Sequence, residues 1–217
     1  MRITWLGHAS VLIEGSVNII VDPFLEQNPA AARKVSEIPR VDIIAITHDH
    51  EDHISDAFAL AKRDGATVVA MHEIAVKAGE EGIAAEGMNI GGTIEVKGAK
   101  FTMVLAVHSS YSGHPCGYVI TLDGKRIYHA GDTGLTRDME IVGELYTPDL
   151  SFLPIGSRYT MDVVQAAKAA EYTRTKKVVP IHYNTWPPIQ ADPEEFKRLV
   201  GDKAEVIILK PGESLHL

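Results

Sequence analysis

Residues 46–57 read ITHDHEDHISDA, and directly after Thr47 come six side chains of cation-binding type: His48, Asp49, His50, Glu51, Asp52 and His53. The spacing H-x-H-x-D-H carries geometric content. His48 and His50, two apart on an extended segment, point the same way and can grip one ion. Asp52 and His53 diverge in extended chain, so a turn leading into a helix from Ile54 would be needed to bring both onto a second ion. Imidazole and carboxylate donors suit zinc, manganese, iron, cobalt or nickel, and no thiolate is at hand to narrow the choice.

Such a knot needs elements that hold it, and the rest of the chain supplies them in a repeated form. The run DIIAIT leads into His48, FTMVLAV into His108, RIYHAG into Asp132 and KVVPI into His182. Apolar strands are thus followed by metal-binding side chains in four separate places. Ligands of layered α/β folds gather at the carboxyl ends of strands, where loops converge, so distant segments can aim at one point. Asp132 stands in AGDTG, where Gly131 and Gly134 permit a tight turn that thrusts the carboxylate outward. Its two oxygens can bridge two ions. A lone histidine–acid cluster is often a solvated loop, and His108 or His182 alone would read as a buried histidine bonded to backbone. Their joint recurrence favours a metal centre.

Short β-branched runs fill both halves of the chain, which indicates buried strands. Early ones follow closely, as in hairpins; later ones alternate with helical stretches such as DVVQAAKAAEYTRT, with Asp162 a suitable N-cap, and PEEFKRLV, with Pro193 in its first turn. This mixture predicts layered sheets covered by helices in a single domain spanning 1–217. The Gly91-Gly92 pair reads as a hairpin turn. At 217 residues, 45% hydrophobic and 23% charged, the composition is that of a soluble globular protein. A net charge of −8 works against nucleic acid and anionic lipid, although a metal could still bring in an anionic substrate. Cys116 is the sole cysteine, the opening residues lack a signal-peptide pattern, and no apolar run approaches the roughly 20 residues of a membrane span. A cytoplasmic protein is expected, with a small-molecule substrate, no nucleic-acid or membrane partner, and homo-oligomers left open.

The motif THDHEDH, with His108, Asp132 and His182 following in order, resembles the metallo-β-lactamase fold superfamily. WLGHAS, VDPF, YHAGDTG and PIHYNT are similar to the branch of metal-dependent hydrolases related to L-ascorbate-6-phosphate lactonase and N-acylphosphatidylethanolamine-hydrolysing phospholipase D. The resemblance implies an αββα sandwich with two metal ions in a cleft at one edge of the sheets. It further implies that His48, His50 and His108 bind the first ion, that Asp52, His53 and His182 bind the second, and that Asp132 bridges. In PIGSRYTM the chain departs from the pattern: Ser157 and Arg158 stand where relatives tend to have a second glycine.

Two ions about 3.5–4 Å apart can share a water and lower its pKa towards roughly 7. The expected activity is therefore a metal-dependent hydrolase using a dinuclear-metal-activated hydroxide on an ester, lactone or phosphodiester, with zinc or manganese favoured. Asp52 would ligate and also orient the nucleophile or accept its proton. His8, after a short strand, and Asn184, beside His182, are further catalytic candidates, the latter as a donor to a developing oxyanion. Asp22 before Pro23 could orient the ligand loops, and SSYSGHPCG reads as a mobile lid. Two alternatives share the fold: a di-iron redox protein, in which a carboxylate often replaces one knot histidine as His50 is not replaced here, and a non-catalytic metal-binding protein.

Overall fold

The valine- and isoleucine-rich runs assemble into two seven-stranded sheets in the computed structural model, which describes residues 1–217. One sheet contains β1 (Arg2–Gly7), β2 (Ser10–Glu14), β3 (Asn18–Val21), β4 (Ile43–Ala45), β5 (Thr67–Met71) and β6 (Ala85–Met88). The C-terminal strand β14 (Ser214–His216) pairs with β1, giving the order β14-β1-β2-β3-β4-β5-β6. The other sheet contains β7 (Thr93–Val96), β8 (Ala99–Leu105), β9 (Cys116–Leu122), β10 (Lys125–His129), β11 (Leu150–Pro154), β12 (Lys177–Ile181) and β13 (Glu205–Val206), lying side by side in reverse order.

Strands β1 to β3 pair antiparallel and β3 to β6 parallel; β7 to β10 pair antiparallel and β10 to β13 parallel. The expected division into early hairpins and late alternation is therefore replaced by both modes occurring in each half. The physical reason is local: antiparallel neighbours need only a tight turn, whereas every parallel pair needs its own crossover. Helices α1 (Glu51–Ile54), α2 (Ala57–Asp64) and α3 (His72–Glu80) belong to the first half, and α2 and α3 pack on β4, β5 and β6. Helices α4 (Asp138–Tyr146), α5 (Val163–Tyr172) and α6 (Pro193–Val200) cover the second, α5 on β11 with α4 and α6 against it. The result is the expected αββα sandwich.

Local chemistry fixes the helix starts. Asp162 accepts the Gln165 amide at 2.8 Å, and Asp192 accepts that of Glu194 at 2.9 Å ahead of Pro193. Helix α4 is not announced by the sequence, because exposed Ile141 and Leu145 blur its apolar face. The Gly91-Gly92 turn joins β6 of one sheet to β7 of the other, and the hairpin between β7 and β8 turns instead at Lys97-Gly98, both at positive φ.

A single cluster of 62 buried residues lies between and around the sheets. Tyr118 of β9 crosses the interface, its hydroxyl donating to the Ile46 carbonyl at 2.9 Å. The Cys116 amide donates to the Thr47 carbonyl at 3.0 Å. These bonds tie the two sheets together where the His48 segment leaves the core. No helix is long and apolar enough to cross a membrane.

Candidate metal centre

The carboxyl ends of six strands face one region. His8 follows β1, Asp22 follows β3, His48 lies just beyond β4, His108 beyond β8, Asp132 beyond β10, and His182 follows β12. Helix α1 already begins at Glu51, with His50 extended at its N-cap, so Asp52 and His53 ride on the helix itself rather than on a turn before Ile54. Gly131 makes the Asp132 turn possible: its φ is +62°, and a Cβ there would stand 2.5 Å from the Cys116 carbonyl oxygen. Thr133 then stitches this loop to the next, its hydroxyl accepting the Val107 amide at 2.9 Å.

All seven side chains expected around metal lie together. The donor atoms of His48, His50 and His108 lie within 4.8 Å of one another, as do those of His48, His53 and Asp132, and those of His8, Asp52, His53 and His182. Asp132 is the common neighbour: its oxygens stand 3.0 Å from His182 Nε2, 3.4 Å from His53 Nε2 and 3.6 Å from His108 Nε2. His182 Nε2 is also 3.9 Å from Asp52.

Asp22, fully buried, wires two of the imidazoles. Its carboxylate accepts the Thr47 amide at 2.8 Å, the Thr47 hydroxyl at 2.7 Å and His53 Nδ1 at 2.8 Å. An ionised carboxylate only accepts, so His53 carries its proton on Nδ1. The single Thr47 hydroxyl proton is spent on Asp22, so the same oxygen accepts from His48 Nδ1 at 3.0 Å. Both rings therefore hold a proton on Nδ1 and turn Nε2 towards the cluster, the arrangement in which a carboxylate behind a histidine prepares it to ligate a cation; at His53 a bound cation would replace the second proton that Asp132 and Asp22 favour there. In sequence Asp22 reads only as a loop-orienting residue; the signal for this wiring is its place directly after the apolar run NIIV, residues 18–21.

The electrostatics fit the same picture. Burial, then His53, pushes His48 down to about 3, and burial likewise lowers His108. Burial alone would raise Asp132, but His182 and His53 overcome it and hold the carboxyl well below its usual range. For Asp52, burial is outweighed by the hydrogen bond from His8 and the charge of His53. Burial would lower His53, yet Asp132 and Asp22 raise it well above the ordinary value. His53 Nε2, His182 Nε2 and Asp132 Oδ1 are buried and lack any hydrogen bond. Orphaned donor atoms of this kind, pooled with ionised carboxylates, fit divalent cations held by nitrogen and oxygen. The buried thiol of Cys116 points elsewhere, to the Thr47 carbonyl at 3.2 Å.

Around the cluster the other candidates separate. His8 is fully buried; its Nε2 meets Asp52 at 3.1 Å and its Nδ1 meets the Thr185 hydroxyl at 2.8 Å. Burial and the neighbouring His182 push it down to about 4, so it is neutral, donating to Asp52 and accepting from Thr185. Asn184 does not fill its expected place as an oxyanion donor. Its side-chain amide is bonded both ways to the Ala191 backbone, at 3.1 and 2.9 Å, and ties the loop. His114, His72 and His216 are exposed, and His129 is buried with Nε2 on the Ala9 carbonyl at 2.9 Å. The expected lid is pinned: Asp49 Oδ1 accepts the Ser110 hydroxyl at 2.7 Å and the amides of Tyr111 and Ser112 at 2.7 and 3.1 Å. In the sequence Asp49 is one acid of the knot, with no sign of this task.

The model of the β-lactamase superfamily domain matches residues 17–183. A UPF0173 metal-dependent hydrolase of Thermococcus onnurineus is 58% identical, over the full length of both chains. The structure of a metallo hydrolase from the archaeon Ignicoccus hospitalis superposes with a TM-score of 0.94 at 42% identity, covering 99% of this chain and 97% of that one. A diiron β-hydroxylase from Streptomyces venezuelae shares the fold at a TM-score of 0.82, with 16% identity, covering all of this chain and 54% of its own. With a matching domain, full-length relatives and a buried histidine–aspartate cluster able to hold metal, the chain belongs to the β-lactamase superfamily and, within it, to the UPF0173 metal-dependent hydrolases.

Proposed function

We propose that the cluster holds two divalent ions and hydrolyses an ester, lactone or phosphodiester bond in a small molecule. His48, His50 and His108 would hold one ion; Asp52, His53 and His182 the other; Asp132 would reach both. What carries this reading is the convergence of buried, unbonded Nε2 and carboxylate atoms from strand ends far apart in sequence. Bound cations of this type acidify water and polarise the oxygen that gains charge. Hydrolysis then adds the oxygen of water to the acyl or phosphoryl centre, breaks the bond to the leaving oxygen, and returns one proton to that oxygen.

The chain's own residues set the stage for that step. Asp52, partly open to the cleft, orients the attacking water, and His8 positions Asp52 through the 3.1 Å bond without reaching solvent. Thr185 fixes the His8 ring from its far side. Zinc or manganese suits a donor set of imidazole and carboxylate without thiolate. The single buried thiol suits a cytoplasmic setting.

Elemental analysis of purified protein, followed by a substrate screen with each candidate metal restored, tests this. Two ions per chain and turnover lost in His48→Ala are expected. One ion per chain, or full activity in metal-free protein, would overturn it. Redox-active iron with no hydrolysis would move the chain to the di-iron reading.

A further inference from the structure

The cleft above the cluster has a volume of about 570 Å³, the scale of a small-molecule site. Its walls divide sharply by chemistry. The charged side chains among them are Glu51, Asp52 and Asp132, together with the histidines, and neither lysine nor arginine lines the cleft. Two cations adjoin cleft-lining residues, each with its own partner. Lys77 lies 3.3 Å from Asp49 and bonds Ser112, while the Arg158 guanidinium lies 5.5 Å from the Tyr159 ring centre.

The mouth, by contrast, is aromatic. Tyr111 is 78% exposed, Tyr159 54% and Trp186 36%, and all three line the cleft. Exposed rings gathered at one opening mark a binding surface. Two of them, Tyr111 and Trp186, are also held in place. Asp49 clamps the backbone at Tyr111, whose ring centre is 5.1 Å from that of His50. Trp186 stands between Thr185, bonded to His8, and the stiff Pro187-Pro188 pair, with its ring centre 5.9 Å from that of Phe24.

We propose that the cleft selects an uncharged ester or lactone bearing a flat apolar group that packs on Tyr111, Tyr159 and Trp186, and disfavours phosphodiesters and other anions. This rests on the hydrolase reading above. An anion would be drawn mainly by the bound cations, and Asp52, Asp132 and Glu51 offset most of that field. A neutral carbonyl compound needs no such surplus, and aromatic packing supplies the remainder of its binding.

A matched set of inert probes tests the charge preference. Methyl phenyl sulfone and methyl phenylphosphonate share a ring, a methyl group and a tetrahedral centre and differ in charge; dimethyl sulfone lacks the ring. Their affinities are measured by ligand-observed NMR titration on metal-free and zinc-loaded protein. The neutral aryl sulfone is expected to bind at least about fivefold more tightly than either of the others in both forms. Tyr111→Ala and Trp186→Ala should each weaken it about threefold to tenfold and leave dimethyl sulfone unchanged. With phenyl acetate as substrate, the same variants should raise KM and leave kcat within about twofold. Phosphonate binding as tight as the aryl sulfone in zinc-loaded protein, or rim variants that bind it as the parent does, would overturn the proposal. Absence of turnover on every substrate with the probe ranking intact would instead overturn the hydrolase reading alone.

Discussion

Asp22→Asn separates shape from proton placement at the centre of the cluster. The substitution keeps the size of the side chain and one accepting oxygen but replaces the other oxygen with a donor. In the native protein three donors converge on this carboxylate, within 2.8 Å: the Thr47 amide, the Thr47 hydroxyl and His53 Nδ1. Asparagine can satisfy the amide with its oxygen, but its NH2 then faces groups that had been donating. His53 must give up its Nδ1 proton to accept there and keep one on Nε2, which closes the nitrogen offered to the cation. The Thr47 hydroxyl must turn from Asp22 towards His48, with the same consequence for that ring. One mismatched buried hydrogen bond costs about 1–3 kcal/mol of stability. Loss of the carboxylate behind a ligating histidine costs about 10–100-fold in metal affinity, and here two rings depend on it, so the upper end is expected. Zinc affinity by chelator competition and imidazole 15N shifts of the metal-free protein provide the readouts, with thermal unfolding as the check on folding. A variant that binds zinc within about twofold of the parent, or whose His48 and His53 keep the proton on Nδ1, would refute the reasoning.

Asp132→Ala removes the carboxylate shared by His53, His108 and His182, and both cation uptake and turnover should fall by at least about 100-fold in equilibrium dialysis and steady-state assays. Asp49→Ala leaves the Ser110 hydroxyl and the amides of Tyr111 and Ser112 without their acceptor. It should cost about 1–3 kcal/mol locally and speed limited proteolysis within residues 109–115. Gly143→Ala tests the scaffold away from the cleft. A Cβ there would collide with the Tyr172 carbonyl oxygen, where α4 crosses the end of α5, so unfolding stability should drop by about 1–3 kcal/mol while metal content per folded chain stays unchanged.

The donor set was legible because it obeys two rules at once. Each donor type is recognisable by itself, and each stands directly beyond an apolar run whose direction fixes where the chain emerges. His48, His108, Asp132 and His182 satisfy both, so their meeting could be anticipated without knowing the strand order. The supporting groups obey neither rule. Thr47 and Thr185 are ordinary hydroxyls until a buried imidazole is seen beside them. Asn184 has the chemistry of an oxyanion donor but spends it on Ala191, a contact seven residues away that only the loop's path creates. Two strands fall outside the valine- and isoleucine-rich runs for a similar reason. Strand β6 carries exposed Glu86 and Gly87, and β14 is three residues long, so pairing rather than composition makes them strands.

Backbone conformation explains why the donors and the turns that aim them cannot be separated. His8, Asp22 and His182 each follow a strand directly and take φ of +55°, +46° and +54°. For residues with a Cβ this left-handed region costs about 1–2 kcal/mol, and glycine would occupy it with least strain. Glycine has no side chain to offer, however, so a strand end that must both reverse abruptly and present an imidazole or carboxylate has to accept the strain. Ser157, at φ +58° where the sequence pattern calls for glycine, takes the same conformation outside the cluster. At these three positions the surrounding structure holds the conformation in place: the His8 carbonyl accepts both the His182 amide at 2.9 Å and Trp5 Nε1 at 3.0 Å, and Asp22 donates its amide to the Ala45 carbonyl at 3.0 Å. Local propensity therefore conflicts with the observed structure where the chemistry is concentrated, and the core behind the strands supplies the stability that lets the conflict persist.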